Sequence, residues 1–287
     1  MNEPQLRTVG CISVRGLHKL AYWEWPSQAG ASAPTVVCVH GLTRNGRDFD
    51  ALADRLSRNW RVVCPDMIGR GRSDRAPDPM LYVLPQYIAD CVTLIARLDV
   101  ERLAWVGTSM GGLMGMMLAA MPGNPIDSLV LNDIGPVLDI AGRTRIAEYV
   151  GDDPQYATRA AAVADLRERM RSFGPHTDEQ FELLVRHYLV PRGDRWAFHY
   201  DPAIAVPFKS MQFEPPDLWP AYDAIRVPTL LLRGADSDLL SAATAQQMTR
   251  RGPRAREVVF AGVGHAPSII DPAQIDAVER FLDEGRA

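Results

Sequence analysis

Leu103-Ala104-Trp105-Val106-Gly107-Thr108-Ser109-Met110-Gly111-Gly112 is the stretch on which the fold turns. Its first four residues are apolar and predict a short strand, and the apolar run over 110–121 predicts a helix. Between them lies G-x-S-x-G, the pattern of a serine held at a tight strand-to-helix corner, a nucleophile elbow. The corner explains its own glycines. Side chains two residues before or after the serine would run into neighbouring backbone, and the serine itself is expected in a strained conformation. That strain exposes the hydroxyl and turns the following N–H groups toward one point in space. Gly and Ser are common, so the pentapeptide alone carries little weight. The strand before it and the helix after it supply the rest.

The same alternation recurs on both sides. Residues 34–39 (P-T-V-V-C-V) form a continuous apolar run, as expected of a strand buried on both faces of a parallel sheet. Further strands are predicted over 60–64, 128–131, 227–232 and 257–260, and helices over 49–56, 85–98, 242–250 and 272–282. Two strands at the start, 7–14 and 20–25, joined at Gly16, predict an antiparallel hairpin. The expected fold is α/β, a doubly wound, mostly parallel, eight-stranded sheet. The rhythm breaks after Asp133. From Gly135 to about Tyr222 the chain predicts helices (143–150, 156–171, 178–189) punctuated by Gly and Pro, Pro215-Pro216 among them. This is an insertion after the sixth strand that sits on the sheet rather than extending it.

Composition narrows the function. With 47% hydrophobic and 23% charged residues, the chain has the make-up of an ordinary globular protein with ample core. A net charge of −4 and no dense Lys/Arg cluster argue against nucleic acid as a partner. Arg143, Arg145, Arg159, Arg167, Arg169 and Arg171 in the insertion read as a solvated helix surface. No apolar run reaches the roughly 18–20 residues of a membrane span. Residues 1–5 lack the basic start and apolar stretch of a secretory signal. The four cysteines are scattered without C-x-x-C spacing, and Cys38 and Cys64 sit inside apolar runs. Neither a disulfide framework nor a zinc site is expected, and a reducing cytoplasm fits.

A nucleophilic serine needs a base, a carboxylate to orient that base, and donors for an oxyanion. His265 lies in Gly262-Val263-Gly264-His265, a turn directly after the 257–260 strand and hence at the carboxyl edge of the sheet, where open α/β folds place their sites. Three carboxylates are expected at that same edge: Asp236 and Asp238 after the 227–232 strand, and Asp133 after the 128–131 strand. Spacing does not choose among them, and Asp after a strand is often only a loop cap. For the oxyanion, Gly41 in His40-Gly41-Leu42 lets the backbone pass close to the serine, so the Leu42 N–H and the Met110 N–H are the expected donors. His40 itself is expected to serve the loop rather than act as the base.

At this point the chain resembles the α/β-hydrolase fold superfamily. His40-Gly41, Asp66-x-x-Gly69-x-Gly71-x-Ser73, Gly107-x-Ser109-x-Gly111-Gly112, the 234–238 loop and Gly264-His265 follow in that family's order, over about residues 7–284. The resemblance implies Ser109 as nucleophile, His265 as base, an Asp after the penultimate strand as orienter, and a helical cap. The domains are then residues 1–134 and 223–287 as the core, and 135–222 as the cap. Two departures stand out. The family often carries the acid three residues after the loop glycine, where this chain has Ser237; Asp238 is therefore favoured, with Asp236 and Asp133 as alternatives. Thr108 occupies a position where relatives often carry a bulkier His, Trp or Phe.

The resemblance implies a serine hydrolase of a small carboxylic ester that works through an acyl-enzyme and needs no metal or organic cofactor. An Asp nucleophile would mark a haloalkane dehalogenase or epoxide hydrolase, which Ser109 argues against. Hydrolysis of a carbon–carbon bond in a ring-cleavage dienone, or ligand binding without turnover, are the alternatives. The Gly-rich, basic stretch 66–74 lacks the G-x-x-x-x-G-K-[ST] arrangement of a phosphate loop and is expected to be structural. Met114, Met116, Met117 and Met121 are expected in the core, with Met110 facing the site. Trp196, His199 and Tyr200 form an aromatic group in the cap, for which core packing is favoured and substrate contact is the alternative.

Overall fold

An antiparallel hairpin starts the chain: β1 (Gln5–Ser13) and β2 (Gly16–Trp25) pair along their whole length, and Gly16 supplies the left-handed turn at φ 112. The computed structural model describes residues 3–210 and 217–285; Pro215-Pro216 and the extreme termini of the predicted core domain lie outside the described residues. Strand and helix then alternate as β3 (Thr35–Val39), α1 (Asp50–Leu56), β4 (Arg61–Asp66), α2 (Leu84–Leu98), β5 (Leu103–Thr108), α3 (Met110–Ala119) and β6 (Ile126–Asn132). Between β6 and the next sheet strand come α4 (Ile140–Tyr149), α5 (Arg159–Arg169), α6 (Asp178–Val185), β7 (Leu189–Arg192), β8 (Arg195–Phe198), α7 (Ala205–Ser210) and α8 (Trp219–Ala224). The chain returns to the sheet with β9 (Thr229–Gly234), α9 (Ala242–Met248), β10 (Arg256–Phe260) and α10 (Pro272–Glu284).

The eight-stranded sheet runs β1-β2-β4-β3-β5-β6-β9-β10. The β1–β2 and β2–β4 pairs are antiparallel and the others parallel. The period of two in the central strands sorts side chains to two cores. Val37, Val39, Trp105, Leu129 and Leu131 join one cluster with residues of α2 and α3, while Val36, Cys38, Ala104, Val106 and Val130 join the other with α1 and α10. Each such fully buried Val or Leu contributes about 1.5–3 kcal/mol. Covering both faces is what makes these strands continuously apolar. Helix α2 shows the complementary pattern: Tyr87, Ile88, Cys91, Leu94, Ile95 and Leu98 are buried at helical spacing, and Pro85 sits in its first turn.

The segment between β6 and β9 is less helical than its sequence predicts. Helix α6 stops at Val185, and β7 and β8 form a small ribbon of their own. Pro191 cannot continue a helix, and Gly193 at φ 63 makes the reversal. Among the described residues, no helix is long and apolar enough to cross a membrane, and Cys11, Cys38, Cys64 and Cys91 are buried and unbridged. Because β5, β6, β9 and β10 are parallel, their carboxyl ends share one edge. Ser109, Asp133, Ser237 and His265 all lie just beyond it.

Candidate active site

The serine corner is as tight as its glycines require. Ser109 takes φ 51 and ψ −113, a left-handed conformation that is costly for a residue with a Cβ. A Cβ on Gly107 would lie 2.3 Å from the Gly111 carbonyl oxygen, and one on Gly111 would lie 2.0 Å from the Val39 oxygen. Neither position has room for more than hydrogen. The corner is pinned from below by the Ser109 N–H donating to the Asn132 oxygen (3.0 Å) and the Trp105 indole N–H donating to the Gly111 oxygen (2.9 Å).

Three side chains distant in sequence meet above it. Ser109 Oγ lies 2.9 Å from His265 Nε2, and His265 Nδ1 lies 2.8 Å from Asp133 Oδ2. Asp133 follows β6 directly at φ 55, a left-handed turn that Asp tolerates better than most residues. Its fully buried carboxylate accepts two further bonds: the Gly234 N–H reaches Oδ1 (2.9 Å) and the Ser237 hydroxyl reaches Oδ2 (2.6 Å). The Ser237 oxygen itself accepts from the Leu240 and Leu239 N–H groups at 3.1 and 3.3 Å, which turns its proton toward Asp133. A carboxylate on Nδ1 holds the proton there, so the Nε2 lone pair faces the Ser109 hydroxyl.

Asp238, which the sequence favours as the partner of His265, lies elsewhere. Its carboxylate takes a two-pronged contact from Arg145 on α4, at 2.5 and 2.8 Å. The Arg145 guanidinium holds that carboxyl below the usual carboxylate range. Asp236 is exposed, and only its backbone is engaged, through a bond from its N–H to the Val263 oxygen (2.9 Å). Of the acidic candidates, Asp133 alone reaches the imidazole. Ser237, between Asp236 and Asp238, is the residue of this loop that reaches the Asp133 carboxylate.

The loop that carries one expected oxyanion donor lies against the serine corner. Gly41 packs on the elbow, where a Cβ would lie 3.8 Å from that of Ser109. His40 Nδ1–H donates to the Gly41 oxygen (2.7 Å) and its Nε2 accepts from the Met67 N–H (3.0 Å). Burial pushes its pKa down to about 3, and the Arg70 and Arg44 charges push the same way. It is therefore a neutral clasp between two loops. With the Gly41 carbonyl taken, neither the Leu42 N–H nor the Met110 N–H has an acceptor among the described residues. Behind them lies Arg70, in the Gly-rich, basic stretch that the sequence reads as a structural loop. It is only 1% exposed. Its Nε donates to the Leu42 oxygen (2.9 Å), its Nη1 to the Ile68 oxygen (2.7 Å) and the Tyr87 hydroxyl (2.8 Å), and its Nη2 lies 3.9 Å from Met110 Sδ.

The surrounding loop is a scaffold. Asp66 accepts from the Gly46 N–H (2.7 Å), the Arg72 N–H (2.8 Å) and the Trp23 indole (3.2 Å), and burial pushes its pKa up to about 6. Trp196 and His199 line a cleft of about 530 Å³ walled by Arg47, Arg72 and Arg186, which neither Ser109 nor His265 lines. Tyr200 stacks with Phe198 and Tyr188 and donates its hydroxyl to the Asp152 oxygen (2.6 Å). Among the described residues, Cys11, His18 and Asp90 are the group whose spacing could suit a metal. They bond internally instead, His18 Nε2 sitting 3.1 Å from both Asp90 oxygens and joining β2 to α2.

Comparison with known proteins agrees with this architecture. The α/β-hydrolase fold family matches residues 34–272. A 3-hydroxybutyrate-oligomer hydrolase of Cupriavidus necator is 46% identical over 289 aligned positions, 98% of each chain. Esterase YbfF of Escherichia coli is 26% identical across 87% of this chain and 93% of its own. A solved α/β hydrolase from Novosphingobium aromaticivorans is 40% identical and superposes with a TM-score of 0.89 over 99% of both chains.

Proposed function

The chain belongs to the α/β-hydrolase fold family and is an ester-acting hydrolase, and from that premise we propose that it cleaves short ester oligomers of hydroxy acids with Ser109 as nucleophile. The observation that carries this reading is the unbroken chain from Ser109 Oγ through His265 to Asp133, at 2.9 and 2.8 Å. The substrate class rests on the full-length similarity to the 3-hydroxybutyrate-oligomer hydrolase. His265 Nε2 takes the Ser109 proton as the oxygen attacks the ester carbonyl carbon. The carbonyl electron pair moves to oxygen, where the Leu42 and Met110 N–H groups receive it. Collapse expels the alcohol end of the next unit, which takes its proton from His265. A water then gives its proton to His265, attacks the acyl carbon and releases the acid, restoring Ser109. Asp133 keeps the imidazole in the useful tautomer and balances its charge while it is protonated.

The segment between β6 and β9 acts as a cap in this scheme. It packs into the same apolar cluster as the core through residues such as Ile146, Val150, Phe181 and Val185, and polar bonds add to this: Arg44 donates to the Leu184 oxygen (2.6 Å), Asn45 to the His187 oxygen (3.0 Å), and the Gly264 N–H to the Ser172 oxygen (2.6 Å). The last of these holds the His265 loop directly. Four buried, unbridged cysteines fit a reducing cytoplasm.

The decisive experiment supplies three substrates to the purified protein: the linear dimer of 3-hydroxybutyrate, p-nitrophenyl butyrate, and a ring-cleavage dienone. Both esters are expected to turn over. Ser109→Ala is expected to lower kcat by about 10⁴-fold or more, and a fluorophosphonate is expected to label the wild type at Ser109 alone. Turnover of the dienone without the esters, or a folded wild type that the fluorophosphonate leaves unlabelled, refutes the proposal.

A further inference from the structure

We infer that Arg70 is a positioning residue that sets both oxyanion donors and holds an unbalanced positive charge behind them, matched only when the tetrahedral oxyanion forms. The inference rests on the serine-hydrolase reading. It begins from a charge that lacks its counter-ion. Three arginines are buried among the described residues. Arg44 faces Asp48 at 2.7 Å and Arg233 faces Glu257 at 3.1 Å. Arg70, the most deeply buried of the three, has no carboxylate within 4.0 Å among the described residues. Its partners are two carbonyls, a phenol, a thioether and the rings of Tyr82 and Tyr87, with centroids 5.6 and 4.9 Å from its guanidinium carbon. A buried cation without an anion is an expensive state. Neutral dipoles satisfy its hydrogen bonds but leave its charge uncancelled.

The local fold goes to some length to keep it there. Gly69 and Gly71 flank it at φ 80 and φ 54. A Cβ at Gly69 would lie 2.5 Å from the Tyr82 ring, and one at Gly71 would lie 2.2 Å from Asp66 Oδ2. These two turns send the Arg70 side chain inward, where the rest of the loop would carry it to solvent. Its two ends then touch the two residues proposed to supply the oxyanion N–H groups: Nε bonds the Leu42 carbonyl (2.9 Å), and Nη2 rests on Met110 Sδ (3.9 Å). The bond to the Leu42 carbonyl fixes the peptide plane of that residue and, through it, the loop that carries the Leu42 N–H. The charge is already felt nearby, since Arg70 is among the groups that disfavour protonation of His40. As ester carbonyl becomes alkoxide, a negative charge appears on the far side of Leu42 and Met110. The ground-state ester offers no such charge, so the stabilisation is confined to the transition state and should raise kcat rather than tighten substrate binding.

Arg70→Met and Arg70→Lys test this in the full-length enzyme. The substrate is p-nitrophenyl butyrate, which carries no carboxylate that an arginine could anchor. Two inhibitors of matched shape report separately: a trifluoromethyl ketone, which Ser109 converts to a tetrahedral oxyanion, and the related amide, which stays neutral. Arg70→Met is expected to lower kcat about 30- to 100-fold with KM within threefold. The same factor should be lost in affinity for the trifluoromethyl ketone, and none for the amide. Arg70→Lys should recover at least tenfold of that loss. A kcat within threefold of wild type in Arg70→Met overturns the inference, as does a fall in kcat without weaker trifluoromethyl ketone binding. Should Arg70→Met fail to fold, Arg70→Lys decides: ketone affinity within tenfold of wild type supports the inference and a greater loss overturns it. Fluorophosphonate labelling separates the two levels. An unlabelled wild type ends the Ser109 reading, whereas equal labelling rates in wild type and Arg70→Met end only this one.

Discussion

Replacing Asp133 with Asn keeps the shape of the side chain and removes one acceptor. Three donors converge on that carboxylate: the Gly234 N–H, the Ser237 hydroxyl and the imidazole Nδ1–H of His265. An amide presents one oxygen and one NH₂ group, so in either flip its NH₂ confronts a donor. If it faces His265, the ring must accept at Nδ1 and carry its proton on Nε2. Ser109 then meets an N–H where it needs a lone pair, and the base is lost. If it faces Gly234 instead, two N–H groups oppose each other in a fully buried site, which costs about 1–3 kcal/mol of stability. The first arrangement also takes the acceptor from the Ser237 hydroxyl, but a hydroxyl can rotate its proton away where a backbone N–H cannot, so it should dominate. Losing the correct tautomer removes about 10³–10⁴ from kcat, or about 4–5.5 kcal/mol of transition-state stabilisation.

Asp238→Asn is the control, because sequence alone prefers that residue. It breaks only the contact with Arg145, in which each side chain is 32% exposed. A pair so accessible to solvent contributes about 0.2–1 kcal/mol to stability, and kcat should stay within threefold. The assay is initial-rate hydrolysis of p-nitrophenyl butyrate at pH 8, with urea unfolding to show that both variants are folded. A folded Asp133→Asn enzyme keeping more than a tenth of wild-type kcat refutes the assignment. So does an Asp238→Asn enzyme that suffers the larger loss.

Two further outcomes follow from the geometry. Gly111→Ala drives a Cβ to 2.0 Å from the Val39 oxygen, a collision with backbone that cannot swing aside; urea unfolding should show a loss of about 3 kcal/mol, and wild-type stability would mean that α3 is free to ride away from β3. His40 titrates at about 3 when folded against 6.5 when unfolded, so between those values the unfolded chain binds more protons and stability falls as pH falls. From pH 7 to pH 5 this amounts to about 2 kcal/mol, which His40→Gln should not show; equal losses in wild type and variant would overturn the neutral, buried assignment.

The sheet was legible because its physics is local. A strand covered on both faces must be apolar throughout, and residues 34–39 announce β3 for that reason. The serine corner was equally legible, since Gly107 and Gly111 have no substitute at their contact distances. What escaped depended on tertiary packing. Arg70 sits in a stretch the sequence reads as structural without singling out this side chain, and the contacts that enclose it, with Tyr82, Tyr87, Leu42 and Met110, come from distant parts of the chain. The β7–β8 ribbon was masked by a helical pattern that runs up to it, although Pro191 and Gly193 were signals of a reversal. Whether Trp196 and His199 serve packing or substrate contact was not legible, because aromatic clustering in sequence says nothing about which cleft it faces.

The choice among Asp238, Asp236 and Asp133 as the carboxylate beside His265 stayed open in the sequence for a different reason, one set by the sheet itself. β6 and β9 are adjacent parallel strands, with Asn132 paired to Leu232, so the turns that follow them open side by side. A residue just past either strand can reach the same point beside His265. The structure shows both arriving: Asp133 from one turn, and the Ser237 hydroxyl from the other, 2.6 Å from the very oxygen that meets the imidazole. Only one of them can bring a charge. Two carboxylates at that separation would repel strongly enough to keep one protonated, and a protonated acid does not orient a base. A chain that places Asp after β6 is therefore better served by a neutral donor after β9. The serine between Asp236 and Asp238 meets that requirement, where an acid at the same position would compete for the proton. The order Ser, Asp, His along the chain is the same in either arrangement, and for that reason sequence order could not tell them apart.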